Sequence, residues 1–550
     1  MKKKKTSVIG IILLALLIIV AGGIWYWNTH KKGIIRDELE SAIRKKSNGL
    51  YKVHYDKLDL DEINGFLSVS SFSLSYDSIK YNGLKKENKQ PYLLFNISIP
   101  KIEITGVETP RALLEKEITG RHLAILNPVI EILYTHGGKD STRNVPDKEI
   151  YEQILGNLNL IKVDSVIISG AEIITKDLKT GSSFVRFLNT SITLLDVAVD
   201  SAASADTSRL LFAKQINLSC EKFSWQSPDK LYTYQVDSLA FQSASSVIGI
   251  KNFLVIPQLQ EVAFVKSVPY QTDRMDFVIR DLQFKNVDFF KLSDEIIKAD
   301  TLIIGSGNFK LYRDRNVPSD NKSRIGTYPH QALQKLPVEI EIKKAIVQNA
   351  FIEYKEKSPI TQRSGKVQFW GISGTVSNIT NRKEAIATNN LMIMNIQTRL
   401  LNKIPLFTKW TFYLRHPEGR FDIDGNMGKT TATTFNVLAE PMGPARLEDG
   451  VVNSLKFNLA GNNSQMNGTV QLLYEDLKVS LLEKDKNSST FDRKGLTSFV
   501  ANIKIKNANP GKNKEPRVAQ LNYKRDITKS LFNMAWKSLF DGVREITGAK

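Results

Sequence analysis

Residues 161–177 read IKVDSVIISGAEIITKD, and the arrangement returns as IKADTLIIGSGNFKLYRD at 297–314 and as IKKAIVQNAFIEYKE at 342–356. The first and third copies continue in parallel, VRFLNTSITLLDV from Val185 corresponding to VQFWGISGTVSNI from Val367. Their spacing is irregular, which excludes a fixed-period solenoid and favours one strand unit reused with loops of variable length. Around these copies, from about residue 49 to 525, apolar residues recur at every second position. Ile97 and Ile99 precede Ile102 and Ile104, Val338 leads to Ile340 and Ile342, and Phe499 and Ala501 lead to Ile503 and Ile505. Strict alternation gives a strand one apolar and one polar side, as in antiparallel sheet. In LSVSSFSLSY (67–76) the phase set by Leu67 and Val69 slips by one before Phe72 and Leu74, which predicts a bulge or bend.

The expected fold is therefore mainly β, a long antiparallel sheet of roughly thirty strands that must curl or split. Few short helices interrupt it, at Pro110–Glu117, Asp147–Leu155 and Phe289–Ile297, and loops are expected at 201–208 and 313–324. Alternation alone leaves two packings open. One is an open groove whose apolar lining includes Ile340, Ile342, Ile503 and Ile505; the other is a closed β-sandwich.

Charge narrows the partners. The 550 residues carry 76 Lys+Arg against 57 Asp+Glu, a formal +19. Residues 1–36 hold seven basic side chains and no acidic one, and the last fifty hold eleven basic and four acidic. Taking both from +19 leaves +5 for the 464 residues between. A nucleic-acid binder would carry its basic stripe on the folded body, so nucleic acid is not expected as a partner.

Residues 7–27, SVIGIILLALLIIVAGGIWYW, are 21 consecutive uncharged residues, close to the roughly 20 that cross a bilayer as a helix. Ile9, Ile12, Leu16 and Ile19 lie in its apolar run, and Trp25 and Trp27 belong at the headgroup boundary. The basic tail 1–6, with Lys2 to Lys5, puts the N-terminus in the cytosol by the positive-inside rule. A cleaved signal peptide is the alternative, with Ala21, Gly22 and Gly23 as small residues. The run is longer than an ordinary signal core, which favours an uncleaved anchor. A helical neck follows at 28–48.

At the other end, 526–550 reads as an amphipathic helix N-capped by Asp526, with Leu531, Met534, Leu539 and Ile546 at helical spacing. It either covers the end of the sheet or docks on an anionic membrane through Leu531, Trp536, Phe540, Lys529 and Lys537.

Together these features resemble the AsmA-like envelope proteins of bacteria with two membranes. The resemblance rests on the anchor, on KSNGLYKVHYDKLDLDEINGFLSVSSFSL (46–74), on the recurring unit, and on the C-terminal strands. In those strands Gly468, Val470, Leu472, Tyr474, Asp476, Leu477 and Lys478 match a Gly-x-Val-x-Leu-x-Tyr-x-Asp-Leu-Lys pattern. The family implies a periplasmic β-groove, here 49–310 and 325–525, whose apolar lining holds phospholipid acyl chains for lipid transfer and envelope biogenesis. It also implies a single pass through the inner membrane and leaves room for an envelope protein partner.

No enzyme, cofactor or metal is expected. GNMGKTT (425–431) has the wrong glycine spacing for a phosphate loop and reads as a turn. HGGK at His136 lacks a nucleophile elbow elsewhere, the six histidines show no ligand spacing, and Asp59 and Asp61 lack the rest of a calcium loop. Cys220 reads as a strand residue, not a nucleophile. The alternatives are a membrane-anchored scaffold with a filled β core and no lipid cargo and, more remotely, an envelope hydrolase.

Overall fold

The computed structural model describes residues 47–108, 115–135, 159–484, 491–492 and 505–549, apart from positions 62, 211, 444 and 482, together with Arg44. The anchor, nearly all of the neck, the expected helix at Asp147–Leu155, most of that at Pro110–Glu117, His136 and Ile503 lie outside these residues. Among the described residues the chain forms β1 (Tyr51–His54), β2 (Lys57–Asp61), β3 (Phe66–Tyr76), β4 (Leu93–Thr105), β5 (Glu117–Leu126), β6 (Val129–Tyr134), β7 (Leu160–Asp177), β8 (Ser183–Val199), β9 (Ala213–Gln226), β10 (Tyr232–Gln242) and β11 (Val247–Pro257). It continues through β12 (Arg274–Lys285), β13 (Ile296–Asp314), β14 (Glu339–Lys357), β15 (Ser364–Thr380), β16 (Leu391–Leu400), β17 (Ile404–Tyr413) and β18 (Phe421–Met427). The last strands are β19 (Thr430–Thr431), β20 (Ala445–Gly461), β21 (Gln465–Leu481), β22 (Glu483–Lys484), β23 (Phe491–Asp492) and β24 (Val518–Lys524). Eight helices accompany them: α1 (Ser78–Lys86), α2 (Ser201–Ala205), α3 (Glu261–Ser267), α4 (Phe289–Ser293), α5 (Pro329–Gln334), α6 (Lys383–Thr388), α7 (Asn436–Met442) and α8 (Leu531–Thr547). None of these is long and apolar enough to cross a membrane. The protein is mainly β, and 22 of the strands belong to one hydrogen-bonded sheet.

The phase slip expected within 67–76 has a backbone cause that recurs elsewhere. Ser71 sits in the left-handed region at φ 55, between Val69 and Phe72 of β3. Across the ladder, Ile102 pairs with Val69 and Ile99 with Phe72, so β4 changes phase at the same level and the register stays unbroken. Asn189 (φ 47) and Asp196 (φ 50) do the same in β8, where Phe187 gives way to Thr190 and Leu194 to Val197. Short polar side chains tolerate this conformation better than branched ones. Each such residue bends its strand while keeping the apolar side chains on one face.

The chain divides into two compact units. The first comprises the described residues of 1–228, 234–252 and 285–296, and the second those of 229–233, 253–284 and 297–550. In the first unit, β1 to β9 enclose a core that includes Phe72, Ile99, Leu123, Ile125, Leu194 and Val199, each at most 2% exposed. Fully burying a side chain of this kind is worth roughly 1.5–3 kcal/mol. The second unit's core lies between α8 and the strands β16 to β21 with β24, and includes Ile423, Leu459, Met466 and Val470 with Leu531, Met534 and Ile546 from the helix. The helix lies close because Gly542 faces Leu521 and Val470, where a Cβ would stand only 3.1 Å from either side chain. Beneath, the Phe457 ring covers Gly425 so tightly that a Cβ there would fall 1.9 Å from its Cζ atom.

Several expectations are corrected. The sheet is not wholly antiparallel: β7, the first copy of the recurring segment, pairs in parallel with both β5 and β6. Copies two and three, β13 and β14, are parallel neighbours, since Lys298 meets Glu341, Asp300 meets Lys343 and Asp314 meets Lys357 in the same order along both strands. Alternation carries no strand direction; the 315–338 connection, long enough for a crossover, was the signal. Residues 201–205 form α2, N-capped by the Asp200 carboxylate, instead of a loop. The helix expected at Phe289–Ile297 ends at Ser293 because β13 already begins at Ile296. At the C-terminus the helix starts at Leu531, capped by Ser530, while Asp526 accepts from the Thr528 N–H and hydroxyl in a tight turn before it. Ile505 lies outside any strand. Gly425 to Thr431 is not the expected turn: β18 and β19 run in one direction along β20 in a single register, from Met427 opposite Leu455 to Thr430 opposite Val452.

Candidate functional site: an uncovered apolar face

In the second unit the face that carries the core continues beyond it. Val367, Phe369, Val376 and Ile379 of β15 pack against the core, so their partners across the ladder share that face. Ile342 pairs with Ile379, Ala345 with Val376, Ala350 with Ile372, and Ile352 with Phe369. From β14 the face passes to β13 where Gly307 lies against Ala350, a Cβ built on Gly307 meeting the Ala350 Cβ at 3.4 Å. Beside Gly307 stands Phe309, whose ring meets Phe277 of β12 edge-on, 5.3 Å between centroids. Phe277 and Phe309 face each other because β12 and β13 are antiparallel, as the Arg313 fork on Asp273 (2.7 and 2.6 Å) and Gly305 against Asp281 both require.

The two sides of these strands differ sharply in chemistry. One side carries Phe277, Ile279, Phe309, Leu311, Val347 and Ile352, each only half-buried. The other carries ion pairs and amides around one aromatic pair: Lys298 to Glu341 at 3.3 Å, Lys343 to Asp300 at 2.6 Å, Gln368 Nε2 donating to Glu353 at 2.7 Å, and the Phe351 and Trp370 rings 4.4 Å apart. Under α8 the matching apolar positions Ile423 and Leu459 are 1% and 3% exposed. Among the described residues α7 packs on the start of β15, where a Cβ on Gly365 would meet Met442 Cγ at 2.7 Å, but no helix lies against β12 to β14 in that way, so an apolar floor stands open there. Its far end is polar. Arg313 and Tyr354 meet there, and burial pushes the Tyr354 phenol well above its ordinary range, keeping it uncharged, with nearby Arg313 opposing the shift.

The C-terminal helix carries an exposed apolar shoulder of its own. Phe532, Trp536 and Phe540 are spaced four residues apart on one shoulder of α8 and are 62%, 49% and 47% exposed. Phe532 meets Trp410 at 5.8 Å, and Trp410 pairs across its ladders with Met394 and Ile423 on the core face. The exposed shoulder thus begins over β17 on the core face.

The residues expected from sequence fall into place unevenly. Ile340 is half-buried and shares the apolar phase of β14, and Ile342 is buried at 6%. Ile505 is half-buried in a loop away from the floor. Leu531 belongs to the core and is not available for docking; Trp536, Phe540 and Lys537 are exposed, and Lys529 is half-buried. Ile9, Ile12, Leu16, Ile19, Trp25, Trp27 and Ile503 lie outside the described residues. Sequence reasoning missed Phe277, Phe309, Phe369 and Trp410; aromatics in phase with the alternation on successive strands were the available signal.

In the first unit the core face also runs on into aromatic rings. Phe187, which packs against the core, stacks on Phe223 at 4.3 Å, Phe223 on Trp225 at 5.0 Å, and Trp225 on Tyr234 at 5.0 Å. All four are half-buried.

Among the described residues no group of three or more His, Cys, Asp or Glu is placed to hold a metal ion. Cys220 is 2% exposed, its Sγ 3.3 Å from the Lys222 carbonyl. Compared with known proteins, the chain matches no family model and no curated sequence.

Proposed function

We propose that this chain is an AsmA-like protein anchored in the inner membrane by residues 7–27, with a periplasmic β-groove that binds phospholipid acyl chains and serves lipid transfer in envelope biogenesis. The observation that carries the reading is the apolar floor of β12 to β15. Its half-buried aromatic and aliphatic side chains oppose a charged outer face, and a filled core would not leave them so. Each methylene of an acyl chain laid on such a floor is stabilised by about 0.8 kcal/mol, so a chain of ordinary length binds without any polar contact. A polar rim at Arg313 and Tyr354 suits the headgroup end. One observation favours the scaffold reading instead: each unit also contains a closed core of its own.

The test is to purify residues 28–550, exported behind a cleavable signal peptide, and to analyse the extracted lipid. Stoichiometric phospholipid is expected, and Phe309→Asp or Ile340→Asp should lower it severalfold while the far-ultraviolet spectrum stays unchanged. As a reference, Ile423→Asp buries a charge in the core and should unfold its unit. Lipid-free wild-type protein would reject the groove and leave the scaffold.

A further inference from the structure

The polar face of the second unit is not an ordinary solvated surface. Two rows of side chains cross β15 to β18 and β20 on the side away from the core. In the first, Thr375 stands beside Asn395, Asn395 beside Lys409, Lys409 beside Asp424, and Asp424 beside Asn458. In the second, Ser373 stands beside Gln397, Gln397 beside Phe407, Phe407 beside Asn426, and Asn426 beside Lys456. Together they line a concavity of about 600 Å³. Five strands at about 4.8 Å spacing make it roughly 19 Å long.

Three features set this patch apart. Asn and Asp are disfavoured in strands, yet Asn395, Asn426, Asn458 and Asp424 cluster at strand positions where Thr or Lys would serve solubility as well. Phe407 is 53% exposed in the middle of the polar rows, its ring open to solvent. Lys409 and Lys456 have no ion-pair partner among the described residues, while the Asp424 carboxylate is already engaged by Asn458 Nδ2 at 2.6 Å. Gln397 Nε2 donates to Ser373 at 2.9 Å, which holds the amide flat on the sheet.

We propose that this concavity is a second binding site, distinct from the lipid floor, and that it takes an acidic oligosaccharide. A sugar ring shows an apolar C–H face and pairs of hydroxyls that both donate and accept. An exposed phenyl ring meets the first, and side-chain amides, which carry a donor and an acceptor in one plane, meet the second. The two unpaired ammonium groups select sugars that bear carboxylates. A peptide is a poorer match because β16, β17 and β18 are paired on both sides and offer no free strand edge. Single-stranded nucleic acid would want several stacking rings along a denser basic track.

The test is calorimetric titration of purified residues 28–550 with tetragalacturonate, with maltotetraose as the neutral counterpart. Saturable binding of the acidic tetramer alone is expected. Phe407→Ala should weaken it about tenfold, Phe407→Trp should retain it, and Lys409→Gln with Lys456→Gln should remove the preference for the acidic sugar. Because none of these side chains touches the apolar floor, the lipid content of the variants should equal that of the wild type. Absence of binding, equal binding of the neutral tetramer, or indifference to Phe407→Ala would each overturn the site without bearing on the groove.

Discussion

His330 illustrates how a single side chain records the environment of the second core. It is 1% exposed, flanked by Tyr328 and Phe412 at ring-centroid distances of 6.2 and 5.0 Å. Neither ring nitrogen finds a partner in hydrogen-bond geometry, although the Gly419 backbone is near enough to oppose the shift weakly. Burial therefore lowers its pKa from 6.5 to about 4. A basic group whose folded pKa is depressed leaves stability untouched above its unfolded pKa. As pH falls from about 6.5 to about 4, the unfolded chain takes up a proton that the folded chain refuses, and stability is lost. The loss reaches about 3 kcal/mol at the lower end. Denaturant unfolding at pH 7 and pH 4.5 should show His330→Phe gaining on the wild type by most of that amount at the lower pH. Equal pH dependence of the two proteins would mean that His330 is solvated. Nearby, the Arg525 guanidinium lies over the Tyr328 ring at 4.4 Å and donates to the Arg324 carbonyl at 2.9 Å, tying the start of α8 to the core. Neither residue was legible as a core member in the sequence, because hydropathy scores both as surface.

At the scale of elements, α8 separates what the sequence could say from what it could not. Its apolar spacing announced a helix, but two apolar surfaces share that spacing. Leu531, Met534, Ala535 and Ile546 are the buried seam, whereas Phe532, Trp536 and Phe540 form the exposed shoulder. Only the sheet beneath decides between them. The difference has measurable consequences. Leu531→Ala removes a fully buried side chain and should destabilise the second unit by about 2–5 kcal/mol. Trp536→Ser and Phe540→Ser together should change stability by no more than about 1 kcal/mol, yet reduce copurifying lipid, because on the proposed reading their exposed rings add to the apolar surface open to acyl chains. Thermal unfolding and lipid analysis on the same preparations separate the effects, and unaltered lipid in the double variant would reduce the helix to a cover. The strands divide similarly. Period two and the slip at Ser71 could be read directly, since side-chain alternation is a local property. The parallel placement of β7 and of β13 beside β14 could not, since direction depends on contacts far apart in sequence.

For the whole molecule, the distribution of charge is the property that reaches beyond any one strand. The described body combines an apolar floor, a polar outer face and a modest share of the +19, while seven positive charges stand within the first 36 residues around an uncharged run of 21. Lys2 to Lys5 precede that run and Lys31, Lys32 and Arg36 follow it, so the two flanks compete. Four lysines immediately before the run outweigh three basic residues that begin four positions beyond its end, so the positive-inside rule predicts the body across the membrane. A reporter active only in the periplasm, fused after Lys550, should therefore be active. Replacing Lys2 to Lys5 by Gln should lower that activity, since the charges left would all lie after the run and would favour the opposite orientation. A silent reporter on the unaltered chain would put the floor and the polar concavity in the cytosol. Lipid and sugar ligands of an envelope compartment would then both be out of reach.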